Sequence, residues 1–186
     1  MPPKVKVTKE EIVHAAVDIV RKNGAQALNA RTVAGALGCS TQPVFSNFES
    51  MEQLFFAAVQ QADALYQGYI AREVEQGAYP PYKASGMAYI RFAKEEKELF
   101  KLLFMRDRTE EQSSAQWELG EQVETILEHS TGLHGSQMKL FHLQMWAVVH
   151  GIATMFATGF LNLDWTLVSN MLTDAYRGLR KQYNME

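Results

Sequence analysis

The run from Asn29 to Phe48, N-A-R-T-V-A-G-A-L-G-C-S-T-Q-P-V-F-S-N-F, constrains this chain more than any other stretch. Its punctuation fits two short helices joined by a tight turn. Asn29 is a favoured N-cap, because its side-chain oxygen accepts from the first free backbone N–H groups. Val33, Ala34 and Leu37 then share one side of a helix. Gly38 stands where a helix exit needs a left-handed residue, a conformation glycine adopts without a Cβ clash. Ser40 is expected to cap the second helix, with Thr41, Gln42 and Pro43 in its first turn, where the missing N–H of Pro costs nothing. Val44 and Phe48, four apart, point inward, which leaves Thr41, Gln42, Phe45 and Ser46 outside. This is a helix-turn-helix pattern.

The longer run L-G-C-S-T-Q-P-V-F-S-N-F-E-S-M-E-Q-L, from Leu37 to Leu54, resembles the DNA-binding signature of the tetracycline-repressor (TetR/AcrR) family. That signature has Leu-Gly-Val-Ser, a small or Pro-containing turn, an aromatic residue, then x-His/Tyr-Phe and Lys-Glu-x-Leu. The resemblance implies an all-α fold: a three-helix helix-turn-helix head, residues 1–49, joined by a long helix to a ligand-binding and dimerisation body, residues 50–186. Resemblance and helix geometry both put Thr41 and Gln42 at base edges, Gln with a bidentate amide and Thr with a hydroxyl and a methyl. Ser40, Pro43, Ser46 and Asn47 complete the expected DNA-facing set, with Arg31 approaching from the preceding helix. Three departures stand out. Phe45 occupies a position usually held by Tyr, so a phosphate-binding hydroxyl is replaced by a ring suited to apolar contact, such as a thymine methyl. Met51 replaces a Lys. Cys39 replaces a Val. The first two imply weaker and less salt-dependent DNA binding than the family norm, unless a basic arm of Lys4, Lys6 and Lys9 compensates.

Charge distribution agrees with such a head. The 186 residues carry a net charge of −3, which does not suit a bulk nucleic-acid binder. Residues 1–50 hold six basic and four acidic side chains, net +2; the rest hold twelve and seventeen, net −5. A positive head on an acidic body favours local phosphate contact without general adhesion. A single cysteine excludes an intramolecular disulfide and fits a reducing cytoplasm, and Met-Pro-Pro-Lys at the start lacks the apolar core of a signal peptide.

Along the chain, helical spacing predicts about nine helices. Thr8 and Glu11 form a capping box for a helix running to Asn23, with Ile12, Ala16, Ile19 and Val20 on one face. Ser50, paired with Gln53, starts a long helix to about Glu75 with the stripe Leu54, Phe55, Ala58, Gln61, Ala62 and Leu65. A head continued into such a helix without a linker cannot move independently of it. Helices are also expected over 81–93, 95–106 and 115–129. The stretch 137–163 has no charged residue after Lys139 until Asp164; its scattered His, Gln and Thr favour a buried helix over a membrane span. Asp164 caps the last helix, 165–183.

Small residues Ala147, Gly151, Thr154 and Thr158 make one stripe, and Trp165, Val168, Leu172, Ala175 and Leu179 a narrow seam. Together they predict a homodimer interface, which a palindromic operator also demands. Candidates for an effector pocket are Tyr89, Phe92, Phe100, Phe104, Trp117, Phe141, Met145, Trp146 and His150, apolar rings with few polar groups among them. Trp146-x-x-x-His150-Gly151 resembles an element in the ligand-binding half of some family members. The histidines lack metal-ligand spacing, so no metal or other cofactor is expected. The functional expectation is a dimeric repressor released from palindromic double-stranded DNA by a small hydrophobic effector. The alternatives are a helical protein-interaction adaptor and an enzyme acting on a small hydrophobic molecule; for the latter, no nucleophile–base pair, phosphate loop or metal box is visible.

Overall fold

A computed structural model describes residues 7–107 and 121–183, so Lys4, Lys6 and Trp117 lie outside the described residues. Among those described there are nine α-helices and no strand: α1 (Lys9–Asn23), α2 (Ala30–Ala36), α3 (Gln42–Asn47), α4 (Met51–Glu75), α5 (Pro81–Glu95), α6 (Lys97–Phe104), α7 (Glu121–Thr131), α8 (Gly135–Thr158) and α9 (Trp165–Gln182). A 3₁₀ turn, Ala25–Ala27, links α1 to α2. The all-α expectation holds.

The chain forms two compact units. One comprises residues 1–65 and 96–106, the other 66–95 and 107–186. The boundary falls inside α4, an unbroken helix of 25 residues, and again between α5 and α6.

In the first unit, the caps are built as the sequence requires. Thr8 Oγ1 accepts from Glu11 N (3.2 Å) while Glu11 Oε2 accepts from Thr8 N (2.8 Å). Asn29 Oδ1 accepts from the N–H groups of Arg31 (3.0 Å) and Thr32 (3.1 Å), and Thr32 Oγ1 accepts from Asn29 N. At the other end of α2, Cys39 N donates to Ala34 O and Gly38 N to Gly35 O, a complete Schellman closure with Gly38 left-handed at φ 63°. Asn29→Ala is therefore expected to cost about 1 kcal/mol, read as a lower urea midpoint with an unchanged slope.

Ser40 does not cap α3. Thr41 holds the N-cap position in a helical conformation (φ −70°, ψ −14°) and makes no side-chain cap bond. Ser50 does cap α4, accepting from Gln53 N (3.1 Å); the Gln53 carbonyl in return accepts from Glu49 N (2.9 Å).

Ile12, Ala16, Val17 and Val20 of α1, Val33 and Ala34 of α2, Val44, Phe48, and Leu54, Ala58 and Ala62 of α4 are buried. Leu99, Phe100 and Leu103 of α6 are buried too. Ile19 is only half-buried and Gln61 is exposed, narrowing the stripes expected for α1 and α4. Arg21 bridges α1 to α6 through Glu96 (2.8 Å), and also pairs with Asp18.

In the second unit, α5 and α8 pack side by side in parallel, with α7 and α9 against them. Met87, Tyr89, Ile90 and Phe92 of α5 are buried, as their spacing predicts. α8 stops at Thr158, short of the expected Leu163. Gly159 turns left-handed there (φ 71°) and its N–H bonds back to Phe156 O. Asp164 then caps α9, accepting from Thr166 N (2.8 Å) and Leu167 N (3.2 Å); those bonds hold its carboxyl below the usual carboxylate range.

Candidate functional site

The outward face of α3 is the first candidate. Val44 (1 % exposed) and Phe48 (2 %) anchor the helix, which projects Phe45 at 54 % exposure. Gln42 and Ser46 are also exposed, and Thr41, Pro43 and Asn47 are half-buried. Two of these polar residues are turned back onto the helix. Ser46 Oγ donates to Gln42 O (2.9 Å), and Asn47 Nδ2 donates to Pro43 O (2.8 Å). Asn47 therefore closes its own helix rather than standing clear of it. Arg31 is exposed at the start of α2. Lys9 does not belong to a loose arm: it opens α1, and its ammonium sits 5.0 Å from the Phe48 ring centre.

The second candidate is an aromatic group on α4, α5 and α8. Tyr89 Oη and His150 Nδ1 share a hydrogen bond of 2.8 Å, and the Trp146 ring stacks on His150 at 4.6 Å. Tyr66 meets Tyr89 edge-on (5.8 Å) and lies 5.5 Å from Phe92. Four of the expected effector residues, Tyr89, Phe92, Trp146 and His150, are thus brought together. Burial lowers the pKa of His150 and raises that of Tyr89, so both stay neutral near pH 7.

The other expected effector residues are placed elsewhere. Phe141 and Met145 pack with Tyr82, Leu127 and Met138 in a separate buried cluster, where Phe141 meets the rings of Tyr176 (5.7 Å) and Tyr183 (5.5 Å). Phe100 and Phe104 lie in the first unit, with ring centres 5.2 Å apart.

Of the expected interface residues, Ala147, Gly151 and Thr158 are exposed on α8, in line with Leu140 and Leu143. Val168 (0 % exposed) and Leu172 (2 %) instead fill the protomer's own core. The seam in α9 is where that helix packs on α5 and α8, which the spacing alone cannot distinguish from contact with a second chain. Among the described residues no group of His, Cys, Asp or Glu is arranged to hold a metal ion.

A family profile described as "Tetracyclin repressor-like, C-terminal domain" matches residues 82–175, half of the chain. The chain belongs to the tetracycline-repressor family. No curated protein sequence matches it. Solved structures carry the same fold across its length. A TetR-like transcriptional regulator from Rhodococcus sp. RHA1 superposes with a TM-score of 0.67 at 18% identity, covering 96% of this chain and 98% of that one. A TetR-family member from Streptomyces coelicolor A3 gives 0.65 at 19% identity, covering 90% and 96%. The multidrug binding protein EbrR, in complex with imidazole, gives 0.64 at 18%, covering 90% and 88%.

The TetR family is one of transcriptional regulators, not enzymes, so the enzyme alternative falls. The profile match covers residues 82–175, whereas the pattern that suggested the family runs from Leu37 to Leu54; two separate parts of the chain point to one family.

Sequence reading missed three features of this TetR-family body. Tyr82 Oη and His142 Nδ1 share a second tyrosine–histidine bond, 3.0 Å long, two helical turns before the Tyr89–His150 pair. The spacing of seven on α5 and eight on α8 was its available signal. Lys83 Nζ donates to Ser169 Oγ (2.7 Å) and Thr173 Oγ1 (2.8 Å), one turn apart on α9; desolvation, then the Arg177 charge, lowers its pKa. Glu73, 4 % exposed, pairs with Arg91, whose guanidinium lies 4.6 Å from the Trp165 ring centre. Nothing local in the sequence marks that last group.

Proposed function

We propose that this TetR-family regulator is a dimeric repressor that binds a palindromic operator and is released by a small, mostly apolar effector. The observation that carries the reading is α3. It is a short helix with a buried Val44–Phe48 anchor and an outward face of Thr41, Gln42 and Phe45, held by a capped, Schellman-closed α2. Such a helix is dimensioned for a major groove, and Gln42 can offer both amide atoms to an adenine edge.

In this reading residues 1–49 act as the DNA-binding head and 50–186 as the effector-binding and dimerisation body. Arg31 and the Lys4, Lys6 and Lys9 segment supply phosphate contacts, Lys9 from a position fixed on Phe48. Ser40, Pro43, Ser46 and Asn47 line the groove edge. The dimer face is the exposed side of α8, with Leu140, Leu143, Ala147, Gly151 and Thr158, plus Leu167 of α9 at 48 % exposure; Val168 and Leu172 support it from within. The effector enters among Tyr66, Tyr89, Phe92, Trp146 and His150, where the Tyr–His bond offers the polar anchor in apolar surroundings. EbrR, a multidrug binding protein of this fold, supports an effector of that kind.

One helix, Gly135–Thr158, is long and apolar enough by length and composition to cross a membrane. Its histidines and Gln144 bond to Tyr82, Tyr89 and Tyr183 of the same chain, which suits the core helix of a cytoplasmic regulator. Coupling between effector and DNA runs along α4, which begins under the head and ends beside the aromatic group. A coupling of about 1–3 kcal/mol makes a usable switch.

The test is fluorescence anisotropy on duplexes from the DNA upstream of the protein's own coding sequence, at several salt concentrations. A palindromic duplex should bind two chains, and Thr41→Ala with Gln42→Ala should weaken it at least tenfold, since each lost base contact costs about 1–3 kcal/mol. An adaptor would keep its partner when those residues change. A folded protein that binds no such duplex overturns the repressor reading.

A further inference from the structure

The hydrogen bonds inside α3 leave a reading surface of unusual chemistry. Ser46 and Asn47 are tied to the helix backbone by their own side chains (2.9 and 2.8 Å). Thr41 makes no cap bond, and Gln42 is exposed. Phe45, on the same face one turn beyond Gln42, is 54 % exposed. The helix contains no Lys or Arg, the side chains that pair bidentately with guanine O6 and N7.

What faces outward is an amide, a methyl-bearing hydroxyl and a phenyl ring. Phe45, on a helix anchored by its opposite face, keeps more than half of its surface in water, and apolar contact with a partner would remove that surface from solvent. In the major groove the only apolar group on a base pair is the thymine C5-methyl, and an amide matches adenine N6 and N7. Both groups belong to A·T pairs.

We infer that α3 reads an A·T core in each half-site, with Gln42 on adenine and Phe45 on the C5-methyl of a neighbouring thymine. This rests on the DNA-binding reading above and adds the base composition of the site and the atom group that Phe45 recognises. Specificity there is carried by apolar contact and one amide, with no charge. The contribution of α3 is consequently insensitive to salt, whereas that of Arg31 and the lysines is not.

Deoxyuridine differs from thymidine in this groove only by the missing methyl, so it isolates the contact. The full-length protein is used to select duplexes from a randomised library, and the half-sites are read. A·T pairs should be enriched at the centre of each half-site. Replacing the enriched thymines by deoxyuridine one at a time should weaken binding about five- to tenfold at one position per half-site, within the range of a single good base contact. Phe45→Ala, which removes the contact from both half-sites of the dimer, should lose the square of that factor, roughly 25- to 100-fold, on the thymine duplex and show no further loss when deoxyuridine replaces the contacted thymines. Gln42→Ala should retain the deoxyuridine penalty.

Half-sites without A·T enrichment, or equal binding of thymine and deoxyuridine duplexes by the unmodified protein, overturn the inference while DNA binding stands. A deoxyuridine penalty that persists undiminished in a folded Phe45→Ala variant also overturns it. If Phe45→Ala does not fold, the deoxyuridine series on the unmodified protein decides alone. Retention of no duplex at all overturns the DNA-binding reading, and this inference with it.

Discussion

Arg91→Ala is expected to lower stability by about 2–3 kcal/mol, more than any exposed substitution in the chain. Glu73 lies in α4 with a side chain only 4 % exposed, and its carboxylate is met by the Arg91 guanidinium from α5. Arg91 also approaches Glu95 (3.9 Å) and covers the Trp165 ring, while Glu95 accepts from Tyr69 Oη (2.9 Å). Removing the guanidinium leaves a desolvated carboxylate without its cation and uncovers an aromatic face. The full penalty for a buried pair is about 3–5 kcal/mol, and it is reduced here because the Arg91 side chain is 34 % exposed and water can replace part of it. For a chain of this size the loss lowers Tm by roughly 5–10 °C. Glu73→Gln is the control: it keeps an acceptor for Arg91 and removes the buried charge, so it should cost less than half as much. Equal Tm values for Arg91→Ala and the unmodified protein would show that the ion pair contributes nothing net.

Acidification from pH 7 to pH 4 is expected to remove up to about 3 kcal/mol through His142 alone. Burial beside Tyr82 lowers its pKa from 6.5 to about 4. The sign follows from proton uptake. Below pH 6.5 the unfolded chain binds a proton at His142 and the native chain does not, so the native state loses about 1.4 kcal/mol per pH unit until its own pKa is reached. Below pH 4 this group adds no further loss. His150, also lowered by burial, acts in the same direction. His142→Gln removes the titration yet retains a side chain able to bond Tyr82. Urea denaturation at a series of pH values should show a shallower slope between pH 6.5 and 4 in that variant. An unchanged slope would assign the acid sensitivity to other groups.

Both predictions concern groups that sequence inspection did not single out, and the reason is physical. Caps and turns are local: Thr8–Glu11, Asn29, Gly38, Ser50 and Asp164 act on backbone groups two to four residues away, and all were legible. Ser40 failed because the helix begins one residue later than its cap role requires, at Gln42, with Thr41 in the cap position. The inward faces were legible wherever burial followed helical period, as in Leu54, Ala58 and Ala62. Partners across helices were not, because period specifies a face and not what covers it. Val168 and Leu172 read equally well as a seam between chains and as the protomer core they form. Phe141 and Trp146, on one apolar helix, read as one pocket and pack in two places.

The sequence by itself determined the helices, most of their caps, the outward face of α3 and, through the Leu37–Leu54 pattern, the family. Each follows from interactions spanning a few residues, whose energetics do not depend on the rest of the chain. Only the tertiary structure decided that Glu73 faces Arg91, that two tyrosine–histidine bonds join α5 to α8, and that Lys83 is held by Ser169 and Thr173. Those pairings join residues far apart in the chain, and close packing selects one among many arrangements that satisfy the same apolar period. On α3 the sequence supplied Gln42, Phe45, Ser46 and Asn47, and the helix ties the side chains of the last two back onto its own backbone.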